Sequence, residues 1–175
     1  ERADRWQRAA VAWRQALQGP AWDGRWYRRA FFDDGSPLGS SEQPECRIDL
    51  IAQVWSVLSD AAPIERQRQA MASAARELED PAHGLLRLLD PPLVHARPSA
   101  GYIQAYPPGV RENGGQYTHA AVWAVMAWAQ LGDGDAAWRT WVGCSPAHRA
   151  ADPQFGAPYG LEPYAVAADV YSQPP

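Results

Sequence analysis

Tyr117-Thr118-His119-Ala120-Ala121-Val122-Trp123-Ala124-Val125-Met126-Ala127-Trp128-Ala129-Gln130-Leu131 is apolar on nearly every face of a helix, the pattern of a helix covered on most sides. Its unbroken apolar run, Ala120 to Ala129, falls far short of the roughly 18 residues that suggest a membrane span. The stretch therefore predicts a buried helix, the fourth in the chain, inside a folded helical protein. Downstream, Gly132-Asp133-Gly134-Asp135 closes it and caps a fifth helix running through Trp141. After a proline-rich loop from Pro146 to Pro158, Glu162-Pro163-Tyr164 is expected to open a sixth that reaches about Tyr171.

Upstream, Trp6, Ala10, Trp13 and Leu17 recur at helical spacing and predict a first amphipathic helix from Arg5 to Leu17. A second is expected from about Cys46 to Ser59, with Ile48, Ile51, Trp55 and Leu58 inward. A third starts near Pro63 and runs to Leu78, with Ile64, Met71, Ala74 and Leu78 inward. Between the first two, Gly24 to Gly39 breaks the period: Trp26 to Phe32 reads as a short extended piece entering an Asp33-Asp34-Gly35 turn. Residues 80–115 form a long irregular stretch punctuated by Pro and Gly, and such loops inside compact domains usually carry function. The chain reads as all-α, about six helices with long loops on one face. The helix pairing resembles half of an α/α toroid.

Length and composition narrow the class. A chain of 175 residues fits one domain, and 46% hydrophobic residues with nine Trp describe a packed core. A net charge of −4 gives no electrostatic reason to expect nucleic acid or an anionic membrane as partner. Cys46 and Cys144 are too few and too far apart for a disulfide framework or zinc cluster, which suits a reducing compartment. No charged-then-apolar leader opens the chain.

The densest candidate for chemistry is Tyr106-Pro107-Pro108-Gly109-Val110-Arg111-Glu112-Asn113-Gly114-Gly115-Gln116-Tyr117-Thr118-His119. Gly114 and Gly115 allow close backbone approach to a ligand. The helix that follows offers unsatisfied N–H groups and a positive dipole end, which favour an anion such as phosphate, with His119 in the first turn. A plainer reading makes Gly114-Gly115 a turn, Gln116 or Thr118 a cap, His119 a core histidine, and Arg111 with Glu112 a local ion pair. Asp33 and Asp34 offer paired carboxylates beside aromatic rings, suited to sugar hydroxyls and ring faces, though Asp-Asp-Gly is also an ordinary turn. Trp22 and Trp26 lie in the same loop and are candidates to stack on sugar. His83, His95 and His148 have no partner at metal-ligand spacing, so no metal site is expected, and no Ser/His/Asp or Cys/His nucleophile arrangement can be argued.

Five runs in order, Trp22 to Gly35, Pro37 to Ser40, Gly101-Tyr102-Ile103 with Tyr106 to Gly109, Arg111 to Ala120, and Glu162-Pro163-Tyr164, closely resemble glycoside hydrolase family 94 phosphorylase domains. Gln116 to Ala120 matches the branch fused to cyclic β-1,2-glucan synthases. The resemblance covers essentially the whole chain. It implies the C-terminal part, residues 1–175, of one (α/α)6-barrel catalytic domain truncated at both ends. The implied activity is inverting: inorganic phosphate, a co-substrate and not a cofactor, cleaves a β-glucosidic bond of β-1,2-glucan to give α-glucose 1-phosphate. His119, with Gly114 and Gly115, is implied to bind phosphate, Glu112 to contact sugar at the cleaved bond, and Arg111, Asp33, Asp34 and Trp26 to line the pocket. The implied partners are a β-glucan oligosaccharide, the rest of the barrel and a larger synthase polypeptide. The implied location is the cytoplasm, or the cytosolic part of an inner-membrane protein.

The chain departs from the family pattern in four places. The family's general-acid Asp motif is not in the chain, and the aromatic segment expected after Ser172 is missing. Gln104 stands where Lys is common, and Ser145 where Asn is. The segment alone is therefore expected to be inactive, since general-acid catalysis supplies roughly 10²–10⁴-fold in rate. Two other readings are open: a non-catalytic glucan-binding or scaffold domain that keeps the sugar-facing loops, and a hydrolase of the same toroid architecture.

Overall fold

The computed structural model describes residues 1–173. Among them the fold is helix-rich with four short two-stranded ladders. The centre is α5 (Thr118–Gln130), which packs against α2 (Leu50–Leu58) on one side and α6 (Gly134–Cys144) on the other; α3 (Ile64–Leu78) backs α2. Ala120, Ala121, Ala124 and Ala127 of α5 are fully buried against Val54, Val57, Met71, Ala74 and Leu78. Four alanines on one face let neighbouring backbones approach closely, which is why this helix can sit at the middle.

The second helix begins later than its apolar spacing suggested. Cys46 has a positive φ of 44°, and Ile48–Asp49 is strand β3, paired antiparallel with Leu89–Asp90. Asp49 then caps α2, its side chain accepting from the Ile51 N–H at 2.8 Å. The inward residues are accordingly Leu50, Val54 and Val57, and Trp55 is 44% exposed. In α3, Met71, Ala74 and Leu78 are buried as expected, whereas Ile64 is exposed.

Helix α1 (Arg2–Gln18) forms where expected but has no buried residue. Trp6 and Trp13 stand in the open, and Leu17 alone touches the small cluster of Tyr27, Ala62 and Ala70. The described residues give the rest of its apolar stripe no neighbour.

Residues 80–115 hold more order than expected: a hairpin, Glu79–Asp80 with Leu85–Leu86, and a short helix α4, Tyr102–Ala105. The loop from Pro146 to Pro158 likewise contains α7 (Pro146–Ala151) and α8 (Gly156–Tyr159).

The sixth helix does not form. Gly160, at φ 63°, ends α8, and the following chain turns once at Glu162–Ala165 before reaching β8 (Asp169–Val170), which pairs with β7 (Gln116–Tyr117). Apart from the Ala165 N–H, which donates to Glu162 O, its backbone bonds reach other parts of the chain. The Thr118 N–H donates to Ala168 O, and the Tyr159 hydroxyl donates to Ala165 O while accepting from the Ala167 N–H.

Both cysteines are free and buried. Burial pushes the Cys144 thiol up to about 12. No helix of the described residues is long and apolar enough to cross a membrane.

Candidate functional site

The turn from Gly109 to Gly115 is tied at both ends. The Gly109 N–H donates to Asn113 O and the Asn113 N–H to Val110 O, while the Gly115 N–H donates to Arg111 O at 3.1 Å. Arg111 is left-handed at φ 51° and Gly114 sits at φ 93°, so the chain reverses within a few residues. Asn113, fully buried, fixes this turn to the rest of the protein. Its Oδ1 accepts from the Leu93 N–H at 2.7 Å, and its Nδ2 donates to Leu93 O and Tyr106 O, each at 2.8 Å.

The two glycines are used differently from the expectation. A Cβ at Gly114 would lie 2.8 Å from Pro92, and one at Gly115 would lie 2.7 Å from Arg111 O. Both residues are buried. The close approach they permit is to the protein's own loops, and the Gly115 N–H is already given to Arg111 O, so both glycines shape the turn.

Gln116 plays a similar architectural part. Its amide accepts from the Leu86 N–H at 2.9 Å and donates to Gly143 O, tying the site loop to the hairpin and to the end of α6. Buried side-chain amides that bridge loops satisfy both a donor and an acceptor at once.

Against this scaffold Glu112 stands apart. Its Oε2 is buried and has no hydrogen-bond partner among the described residues. A buried acceptor left unpaired costs roughly 1–3 kcal/mol. Arg111 beside it is exposed, and its guanidinium lies 5.3 Å from the Tyr106 ring centre. Tyr106, then Asp169 and Glu112, favour its charge and raise its pKa.

Thr118 follows directly. Tyr117, the residue before α5, caps it with no side chain, leaving the amino end of α5 without a side-chain acceptor. His119 in the first turn is exposed, not a core histidine. Its ring is stacked on Tyr117, 6.4 Å between centres at 20°, and lies 4.9 Å from Trp123. Rings on both sides restrict where the imidazole can point.

The other predicted site residues lie elsewhere and are differently employed. Trp26 is 1% exposed and its indole N–H donates to Gly39 O and Arg47 O, at 3.1 and 3.0 Å. It is a core residue with no face free to stack on sugar, which corrects the expectation. Trp22 is enclosed by Tyr27 and the Arg66 guanidinium. Asp34 accepts from both the Ser36 N–H and the Ser36 hydroxyl, which close the hairpin between Ala30–Phe31 and Pro37–Leu38. Those bonds hold its carboxyl below the usual range. Asp33 is exposed in the same turn.

Sequence reasoning passed over Asn113 and Gln116 as functional parts, although Asn113 is the chain's single Asn. No group of three metal-ligating side chains occurs among the described residues. A cavity of about 200 Å³ between the 79–86 hairpin and α6 is lined by Thr140, His148 and Arg149, away from Glu112. There Arg149 binds the carbonyls of His83, Gly84 and Gly143 and so joins the hairpin to α6.

Residues 1–175 match the model of the glycosyl hydrolase 94 superfamily, catalytic domain. The chain is 49% identical over 96% of its length to the cyclic beta-(1,2)-glucan synthase NdvB of Rhizobium meliloti (strain 1021), of which it covers 6%. It is 35% identical over 89% of its length to a solabiose phosphorylase from Paenibacillus borealis, covering 20% of that protein. It is 33% identical over 82% of its length to an N,N'-diacetylchitobiose phosphorylase from Vibrio furnissii, covering 18%. The chain thus spans a fifth or less of these relatives.

Proposed function

The chain belongs to the glycosyl hydrolase 94 superfamily, and from that membership we propose that it is the sugar- and phosphate-facing part of an inverting glycoside phosphorylase domain. Its substrate is β-1,2-linked glucan, cleaved by inorganic phosphate to α-glucose 1-phosphate, within a larger glucan synthase whose phosphorylase module is cytosolic. Similarity to a cyclic glucan synthase supports the linkage, and similarity to two phosphorylases supports phosphate as co-substrate. In this reading the helices are part of an (α/α)6 barrel, and the exposed faces of α1 and of Trp55 meet its remaining helices.

The observation that carries the proposal is the buried, unpartnered Oε2 of Glu112 six residues before a helix whose amino end has no side-chain cap. A carboxylate accepts hydrogen bonds from sugar hydroxyls, and a sugar supplies the donors that this oxygen lacks. At the start of α5, where the Thr118 N–H is already taken by Ala168 O, the helix dipole favours phosphate and His119 adds a donor. One ligand is held by its hydroxyls and the other by its charge, which positions a phosphate oxygen for attack on the anomeric carbon. Positioning of this kind supplies much of the rate in a displacement between two bound reactants. The leaving oxygen takes its proton from an acid that is not assigned among these residues.

The test is phosphate-dependent release of α-glucose 1-phosphate from β-1,2-glucan by the intact parent protein. His119→Ala is expected to raise the KM for phosphate roughly tenfold or more. Free glucose without glucose 1-phosphate would replace phosphorolysis by hydrolysis, and glucan binding without turnover would make the domain a binding module.

A further inference from the structure

Glu112 Oε2 has no hydrogen-bond partner among the described residues, and the turn that carries it is held by other groups. The anchoring falls to its neighbour. Asn113 is fully buried and makes five hydrogen bonds, two through its backbone to Gly109 and Val110 and three through its amide to Leu93 and Tyr106. The first pair fixes the turn that carries Arg111 and Glu112. The amide ties that turn to the 91–93 strap and to the backbone of Tyr106, whose ring carries the Arg111 guanidinium. Pro92 of the same strap packs on Gly114, closing the turn from its other side.

We propose that Asn113 is the positioning residue for sugar binding: one buried amide sets the Glu112 carboxylate and, through Tyr106, the Arg111 guanidinium. The inference rests on the reading of Glu112 as a sugar-facing group. The phosphate side is built separately. His119 stands on α5, held between Tyr117 and Trp123, and the helix is seated by its buried alanines and by the Thr118 N–H to Ala168 O bond. Disturbing Asn113 therefore loosens one ligand's contacts and leaves the other's in place.

The experiment compares the intact parent protein with its Asn113→Asp and Asn113→Ala variants in phosphorolysis of β-1,2-glucan, with folding followed by thermal melting. Asn113→Asp keeps the shape and the bond accepted from Leu93 but loses both donated bonds and faces two carbonyls with an oxygen. The expected result is a KM for glucan raised on the order of tenfold to a hundredfold, with the KM for phosphate within about twofold of the parent. A residue that merely stabilises the fold would lower the active fraction and leave both KM values alone, and that outcome overturns the proposal. So does a parallel rise of both. Asn113→Ala, which buries no charge, decides where Asn113→Asp does not fold. Glu112→Gln separates the two levels of the argument. If it leaves the glucan KM unchanged, the sugar-facing reading of Glu112 fails; if it raises that KM while Asn113→Asp does not, only the positioning role fails.

Discussion

Two stretches, residues 22–36 and 106–119, carry the same kinds of side chain: aromatic rings, carboxylates, arginines and glycines at a reversal of the chain. The structure employs them in opposite ways. In the first, the groups that could face a ligand are the ones that make the fold. Trp26 fills the core and closes two backbone carbonyls, and Asp34 closes its own hairpin through Ser36. In the second, folding is delegated to Asn113, Gln116 and two packed glycines, and the ionisable groups are left over. A polar group is free for a ligand only where some other residue has taken on the structural hydrogen bonds.

The sharpest way to break this contrast is Glu112→Gln in the intact parent. If Glu112 is the spare acceptor, replacing half of its carboxylate by a donor removes charge-assisted bonds to sugar hydroxyls, each worth about 1.5–3 kcal/mol. The efficiency kcat/KM for glucan is expected to fall roughly ten- to a hundredfold. Melting temperature should hold steady or rise, because the substitution relieves a buried, unpartnered charged oxygen. Steady-state kinetics and calorimetric melting of the same preparation check both halves. A large loss of stability with unaltered kinetics would show that Glu112 too serves the fold.

Trp26→Phe probes the other stretch and reverses the pattern. It orphans Gly39 O and Arg47 O and leaves space where the indole stood, at a cost of about 2–4 kcal/mol. The denaturation midpoint is expected to drop while the glucan KM of the folded protein stays put. A rise in that KM without loss of stability would return Trp26 to the sugar site.

How much of this could be read beforehand follows from the same distinction. Periodicity located α1, α3, α5 and the Asp133 cap of α6, because those depend on local spacing and on a side chain bonding within three residues. It placed helix over residues 162–171, where the chain instead turns at Glu162–Ala165 and ends in Asp169–Val170 paired with β7, some fifty residues upstream. It set the start of α2 too early, because β3 pairs with a strand forty residues away. Within the site, the turn and the start of α5 just before His119 were legible from Gly114-Gly115 and the apolar run beyond. The separation of Glu112 from Asn113 was not. Nothing in the string Arg-Glu-Asn-Gly distinguishes the side chain that is enclosed from the one that is spare, and the partners that decide it, Leu93 and Tyr106, lie in other loops.

The smallest effect expected is at Asp34, and it is the cleanest check on the first stretch. Hydrogen bonds from the Ser36 side chain and backbone hold its carboxyl below the ordinary aspartate range. A carboxyl depressed in the folded state adds stability above its unfolded pKa, and the contribution fades as pH falls through the lower, folded value. Asp34 is fully exposed to solvent, so water and salt screen most of that interaction. Asp34→Ala should therefore move the melting temperature by no more than about 2 °C at neutral pH, and by less still in strongly acidic buffer, with glucan and phosphate KM unchanged. Melting curves at pH 7 and pH 3 with kinetics at pH 7 test this. A marked rise in glucan KM would mean that the hairpin tip gives up its Ser36 bonds to a sugar, and the two stretches would then differ only in which ligand opens them.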